Sequence, residues 1–131
     1  MDVAREIRIL NFPASRALDL AFSPNGEILA AADSSNAIEL WDAATGLLLT
    51  TLAGHAEPVV RLAFSPDGRT LASASEDGAV KLWSVVAWRE LATLFRGEPK
   101  IWLEFSADGQ ALFATDTNGH LHCWRAPALA P

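Results

Sequence analysis

One five-residue phrase returns three times along the chain: Phe22-Ser23-Pro24-Asn25-Gly26, Phe64-Ser65-Pro66-Asp67-Gly68 and Phe105-Ser106-Ala107-Asp108-Gly109. The spacings are 42 and 41 residues, and each phenylalanine is followed 19 residues later by a tryptophan, Trp41, Trp83 and Trp124. A period of about 40 to 45 residues marks an array of similar units, so the 131 residues divide into three of them. Repeat arrays bind partners far more often than they catalyse reactions, because each unit is a surface laid against its neighbours.

The middle unit is the clearest. Val59–Phe64 is a short apolar run, and Ser65-Pro66-Asp67-Gly68 supplies turn chemistry, with Pro presetting φ and Gly accepting a positive φ. Residues 71–75 form a second strand, closed by Glu76-Asp77-Gly78, and 79–83 alternates at period two as a third. A fourth covers 91–94. No helical period interrupts this pattern, so each unit reads as a four-stranded antiparallel meander, apolar on both faces. The first unit repeats it at 18–22, 27–31, 37–41 and 47–52; the third at 101–105, 111–115 and 121–124. No fourth strand is expected after Trp124, because 126–131 is a proline-punctuated tail. A spare strand is expected at 5–10, ahead of the first unit.

Composition narrows the function classes. Half the residues are hydrophobic and a fifth are charged, which excludes a disordered chain. No apolar run approaches the roughly 18 residues of a membrane helix, and the alternating charges of residues 1–6 lack the basic start and apolar stretch of a secretory signal. A net charge of −6, spread along the chain, argues against nucleic acid. One cysteine, Cys123, cannot form an internal disulfide, so a reducing cytoplasm is the expected setting.

Further spacings carry a family resemblance. Gly54-His55 leads the middle unit, with His55 28 residues before Trp83, Ser73 ten before it and Asp77 six before it, and Trp41-Asp42 ends the third strand of the first unit. With the period and the Ser-Pro-Asp-Gly turn, these residues resemble the WD40-repeat β-propeller family over about residues 5–125. The resemblance implies a propeller whose blades span roughly 5–52, 53–94 and 95–125, with strand 5–10 completing a last blade. It also implies a buried structural tetrad of His55, Ser73, Asp77 and Trp83. Position for position, the histidine is Pro13 in the first unit and Arg96 in the third. The serine is Ala31 and Ala114, and the aspartate is Ser35 and Asn118. Those two blades are expected to hold together mainly by packing.

Two constellations invite chemistry and yield to plainer readings. His55, Ser73 and Asp77 are the residue types of a hydrolase triad, but a triad needs an open pocket and an oxyanion site, and the resemblance buries them inside a blade. His120 and His122 share a strand face while Cys123 points away, leaving too few ligands for zinc. Neither a metal nor a cofactor is expected. Trp88 and Trp102 fall outside the regular tryptophan position and are candidate aromatic contacts. For Trp102, in an innermost strand, packing between blades is the plainer reading; for Trp88, in a loop, a surface contact and local packing are equally open. The resemblance places a partner-binding face at Arg16, Leu18, Ser34, Pro58, Val60, Glu76, Pro99, Ile101 and Thr117.

Propellers usually close with about four to eight blades, and three would leave two apolar faces bare. The expected solution is half of a six-bladed propeller closed by homodimerisation, each chain's strand 5–10 completing the other's last blade. A piece of a larger propeller is the alternative, and a ring of three chains is a third arrangement. The expected function is a non-enzymatic scaffold that binds a protein or peptide, with no nucleic acid and no membrane involved. A ligand-sensing or regulatory module of a longer signalling chain is the alternative, and an enzyme with a site at the ring centre is a distant third.

Overall fold

In a computed structural model that describes residues 17–95 and 97–125, every regular element is a β-strand. The first sheet holds β1 (Ala17–Phe22), β2 (Ile28–Asp33), β3 (Ile38–Asp42) and β4 (Leu48–Leu52) in sequential order. The second holds β5 (Val59–Phe64), β6 (Thr70–Ser75), β7 (Val80–Ser84) and β8 (Glu90–Phe95). The third is three-stranded among the described residues: β9 (Lys100–Phe105), β10 (Ala111–Asp116) and β11 (Leu121–Arg125). All neighbouring strands are antiparallel. The strands expected at 27–31 and 111–115 run on to Asp33 and Asp116, and β3, β7 and β11 end one residue later than expected. The expected strand 5–10, Arg16 and the tail 126–131 lie outside the described residues.

The recurring phrase builds the same turn in each sheet. Ser23, Ser65 and Ser106 donate their hydroxyls to Asn25, Asp67 and Asp108 at 2.7, 2.6 and 2.7 Å. The same hydroxyls accept the amides of Ile28, Thr70 and Ala111 at 3.0, 3.1 and 3.0 Å. The glycine that follows each Asx residue closes the turn at a φ of 73–75°, where a β-carbon is unfavourable.

The sheets stack face to face through two apolar layers. In the first, Ala30, Ala32, Ile38 and Leu40 of one sheet meet Leu62, Leu71 and Trp83 of the next, with Phe64 and Trp88 packed against them. In the second, Ala72, Ala74, Val80 and Leu82 meet Leu103, Phe105, Leu112 and Ala114. The alanines of β2 and β6 leave room for larger side chains of the next sheet, which allows close approach, as dense cores require. The innermost strands β1, β5 and β9 run beside one another, and Asp19 Oδ2 accepts the Leu62 amide across the first joint at 2.8 Å.

Candidate functional site

Each innermost strand carries the same irregularity near its start. Register shifts between Ala17 and Asp19, and between Val59 and Arg61, leave Leu18 and Val60 without cross-strand partners. Opposite the Thr115–Asp116 shift, Ile101 is skipped in the same way. These are β-bulges, which bend a strand and re-aim a side chain. The loops between second and third strands close over them: Glu76 N–H donates to Pro58 O at 2.9 Å, and Thr117 N–H to Pro99 O at 3.3 Å. Ser75 Oγ adds a bond to Glu57 O at 3.1 Å, and Asn36 Nδ2 one to Ala56 O at 3.1 Å. Pro58 with Glu76 and Pro99 with Thr117 therefore form two joined pairs beside a bulge. Ser34 and Leu18, both half-buried, occupy the corresponding places in the first sheet. Glu76 and Thr117 are exposed.

Beneath this rim each sheet carries polar side chains at two shared repeat positions, Asp33/Ser75/Asp116 and Glu39/Lys81/His122, and the middle sheet adds a cluster around Ser73. In the middle sheet, Trp83 Nε1 donates to Ser73 Oγ at 2.8 Å, and His55 Nε2 lies 2.6 Å from the same oxygen. Asp77 Oδ1 accepts the Ala79 amide at 2.9 Å. Lys81, buried on the same face, reaches both Glu90 oxygens at 3.0 Å and Thr93 Oγ1 at 2.9 Å. Burial opposes ionisation of Glu90, yet Lys81 and Thr93 hold its carboxyl below the usual range. Ser73 is fully buried, so its hydroxyl meets no solvent-borne substrate.

The outer sheets, expected to hold together mainly by packing, carry buried polar pairs in addition to their apolar layers. In the third, Asp116 is buried and accepts from His122 Nε2 at 2.7 Å, with His120 Nδ1 at 3.4 Å. The amides of Asn118 and His120 also bond Asp116 Oδ1, at 2.9 and 3.0 Å. The His122 bond, with these amides, holds the Asp116 carboxyl far below its ordinary value. His122 stacks on Trp124 at 5.9 Å. Lys100 is buried nearby; burial lowers its pKa, while Asp116 and Glu98 act in the opposite sense. In the first sheet the equivalent positions are both carboxyls. Asp33 and Glu39 are fully enclosed, and Ser35 donates both its amide and its hydroxyl to Asp33 Oδ1. Burial, then the hydrogen-bonding contact and charge of Asp33, push Glu39 up to about 8. Asp33 goes the other way: burial resists, but Glu39 and Ser35 keep it ionised. The pair thus shares one proton at neutral pH. A signal for these clusters was present in the sequence, since 33/75/116 and 39/81/122 are polar in every unit.

Trp102 departs from the expected interblade packing. It is 55% exposed, donates Nε1 to Glu104 Oε1 at 3.1 Å, and lines a groove of about 410 Å³ with Asp19, Leu20, Arg61, Leu62 and Leu103. Trp88 resolves toward local packing. It leans on the first apolar layer and donates its amide to Ser84 O at 2.8 Å, in a left-handed conformation of φ 51°. Its repeat counterpart Gly46 has φ 73°, so a tryptophan occupies a glycine's backbone niche. Among the described residues no group of three His, Cys, Asp or Glu side chains is arranged to hold a metal ion, and no helix is long and apolar enough to cross a membrane.

Against known proteins, the family model described as WD domain, G-beta repeat matches residues 6–42 and 46–84. A solved structure described as U3-55K shares the fold, with a TM-score of 0.88 over 93% of this chain at 21% identity. The chain spans 39% of the length of that structure. No curated protein matches in sequence.

Proposed function

Because the chain belongs to the WD40-repeat family, whose propellers generally bind proteins or peptides and generally lack enzymatic activity, we propose that it is a non-enzymatic scaffold. It takes a protein or peptide on the ring face formed by Leu18, Ser34, Pro58, Val60, Glu76, Pro99, Ile101 and Thr117, with Arg16 as a further candidate. The observation that supports this most is the bulge repeated in all three innermost strands. A bulge removes one residue from the ladder and frees it for contact, and bulges concentrate where strands present functional side chains. Trp102 gives the neighbouring groove an exposed aromatic anchor of the kind that dominates interfaces.

On this reading the blades do not act as a lone trio. A second copy of the chain completes the ring, in a reducing cytoplasm that suits the exposed thiol of Cys123. A second reading, in which blades from a longer chain complete it and the array regulates attached domains, draws support from the 39% span of the structural neighbour.

Selection of displayed random peptides on the purified chain tests the ring-face assignment. Enriched peptides should lose at least about tenfold in affinity to Val60→Asp or Glu76→Lys and none to Val86→Asp on an exposed loop. Peptides indifferent to both ring-face variants would sink the assignment.

A further inference from the structure

We infer that the Leu20/Phe22 side of the first sheet and the Phe113/Leu121/Cys123 side of the third are two halves of one head-to-tail joint, each occupied by its complement on a second copy of this chain. The inference rests on the association proposed above and specifies which faces meet.

The same joint is already made twice within the chain. On its receiving side lie Ala30, Ala32, Ile38 and Leu40 in the first instance and Ala72, Ala74, Val80 and Leu82 in the second, all at most 1% exposed. The inserting side is led by Leu62 with Phe64, then Leu103 with Phe105; Leu62 and Leu103 are 7% and 5% exposed. Shifting by one repeat gives the unmated halves. Leu20 and Phe22, equivalents of Leu62 and Phe64, are 54% and 62% exposed. Leu121, the equivalent of Val80, is 66% exposed, and Cys123, the equivalent of Leu82, is exposed beside it. The cross-strand register puts Leu20 and Phe22 on one face, opposite Ala31 and Leu29, and puts Phe113 opposite Cys123.

The turns repeat the same asymmetry. A β-carbon on Gly68 would lie 3.5 Å from Pro24 Cδ, and one on Gly109 would lie 3.5 Å from Pro66 Cδ, so each proline rests against the glycine of the next sheet. Gly26 has nothing within 4 Å, and Ala107 stands exposed where the third proline would be. Among the described residues, the apolar faces and turn contacts that pair inside the chain therefore each leave one unpaired half at either end. Bare aliphatic and aromatic side chains grouped on a sheet face mark an association surface, and the chain carries the complement of each of its own open faces. Contacts between unlike faces close into a ring when the rotation permits. Two copies then make the joint twice.

Sedimentation velocity of the purified chain at micromolar concentration tests this, with a dimer expected. Phe22→Asp and Leu121→Asp should each raise the dissociation constant at least about thirtyfold. Mixing the two variants should restore dimer, because a mixed pair keeps one joint with both native faces whereas each variant alone damages both joints. Like-to-like association would show no such recovery and would overturn the head-to-tail joint, as would a monomer throughout the micromolar range. Independently of any variant, maleimide labelling of Cys123 should slow as native chain concentration rises; a rate indifferent to concentration would also overturn it. A monomer that still binds peptides through Val60 and Glu76 would leave the ring-face reading intact, so the two proposals fail separately.

Discussion

A β-carbon built on Gly78 would lie 1.8 Å from the carbonyl oxygen of Gly97. The β6–β7 turn and the link from β8 to β9 therefore cross at backbone contact, and Gly78 also holds a φ of 86°. Gly78→Ala should lower stability by about 3 kcal/mol or more, since both the clash and the left-handed backbone must be relieved. Urea denaturation monitored by circular dichroism reads the loss. Gly26→Ala, whose β-carbon meets nothing within 4 Å, should suffer only the backbone penalty.

Ser73 Oγ is the meeting point of Trp83 Nε1 and His55 Nε2. Ser73→Ala keeps the packing but strands the buried indole donor and the imidazole, so a loss of about 2–3 kcal/mol is expected. Ala31 and Ala114 occupy the same position in the sister sheets, so alanine itself fits the backbone there. Trp83 fluorescence during unfolding should shift to a lower denaturant midpoint; an unchanged midpoint would remove the network from the account of stability.

The Asp33–Glu39 pair predicts a falling arm in the pH–stability curve. Glu39 has a folded-state pKa of about 8 against an ordinary value of 4.5, so between these limits the folded protein binds the extra proton. Stability then declines as pH rises through that window, at up to about 1.4 kcal/mol per pH unit from this group. Glu39→Gln, which keeps a donor for Asp33 and cannot ionise, should flatten the decline between the ordinary value of 4.5 and about 8 in thermal melts.

Asp116 predicts the opposite arm. Its carboxyl is held below the ordinary value by His122 and two amides, so its contribution is complete above about pH 4 and is lost as acid protonates it. Asp116→Asn should lower stability at neutral pH and shrink the loss on acidification, read from urea midpoints at pH 7 and at pH 3.

Asp19 bridges the first joint by accepting the Leu62 amide at 2.8 Å. Asp19→Ala should destabilise by about 1.5 kcal/mol, because the amide of a largely buried residue loses a charged acceptor. Amide exchange at Leu62 should quicken more than at Leu103.

Much of the fold was legible because the turns are chemically explicit. Ser-Pro-Asp-Gly dictates both the hydroxyl bonds and the positive φ, so strand order and approximate bounds follow from local residues. The Ser73–Trp83 contact was legible only as something the family resemblance implied, with the spacing to Trp83 carrying that resemblance. What escaped was set by position across strands. Asp33 and Glu39 look like surface residues along the chain; only the diagonal of an antiparallel pair brings them together on the face that carries Trp41. Trp102 misled because an indole in an inner strand reads as core, whereas the bulge beside it alters how that strand presents its side chains. Trp88 was ambiguous because no propensity favours an aromatic at φ 51°; packing against the first apolar layer overrides the preference.

The bulges have one further consequence. Leu18, Val60 and Ile101 stand outside the ladder that sets register, while the residues flanking them keep their cross-strand partners. On the ring-face reading proposed above, changes at these three sites alter what is bound without slipping a strand or opening a joint. Selection, natural or in the laboratory, could exchange one partner for another at these sites while folding stays nearly constant.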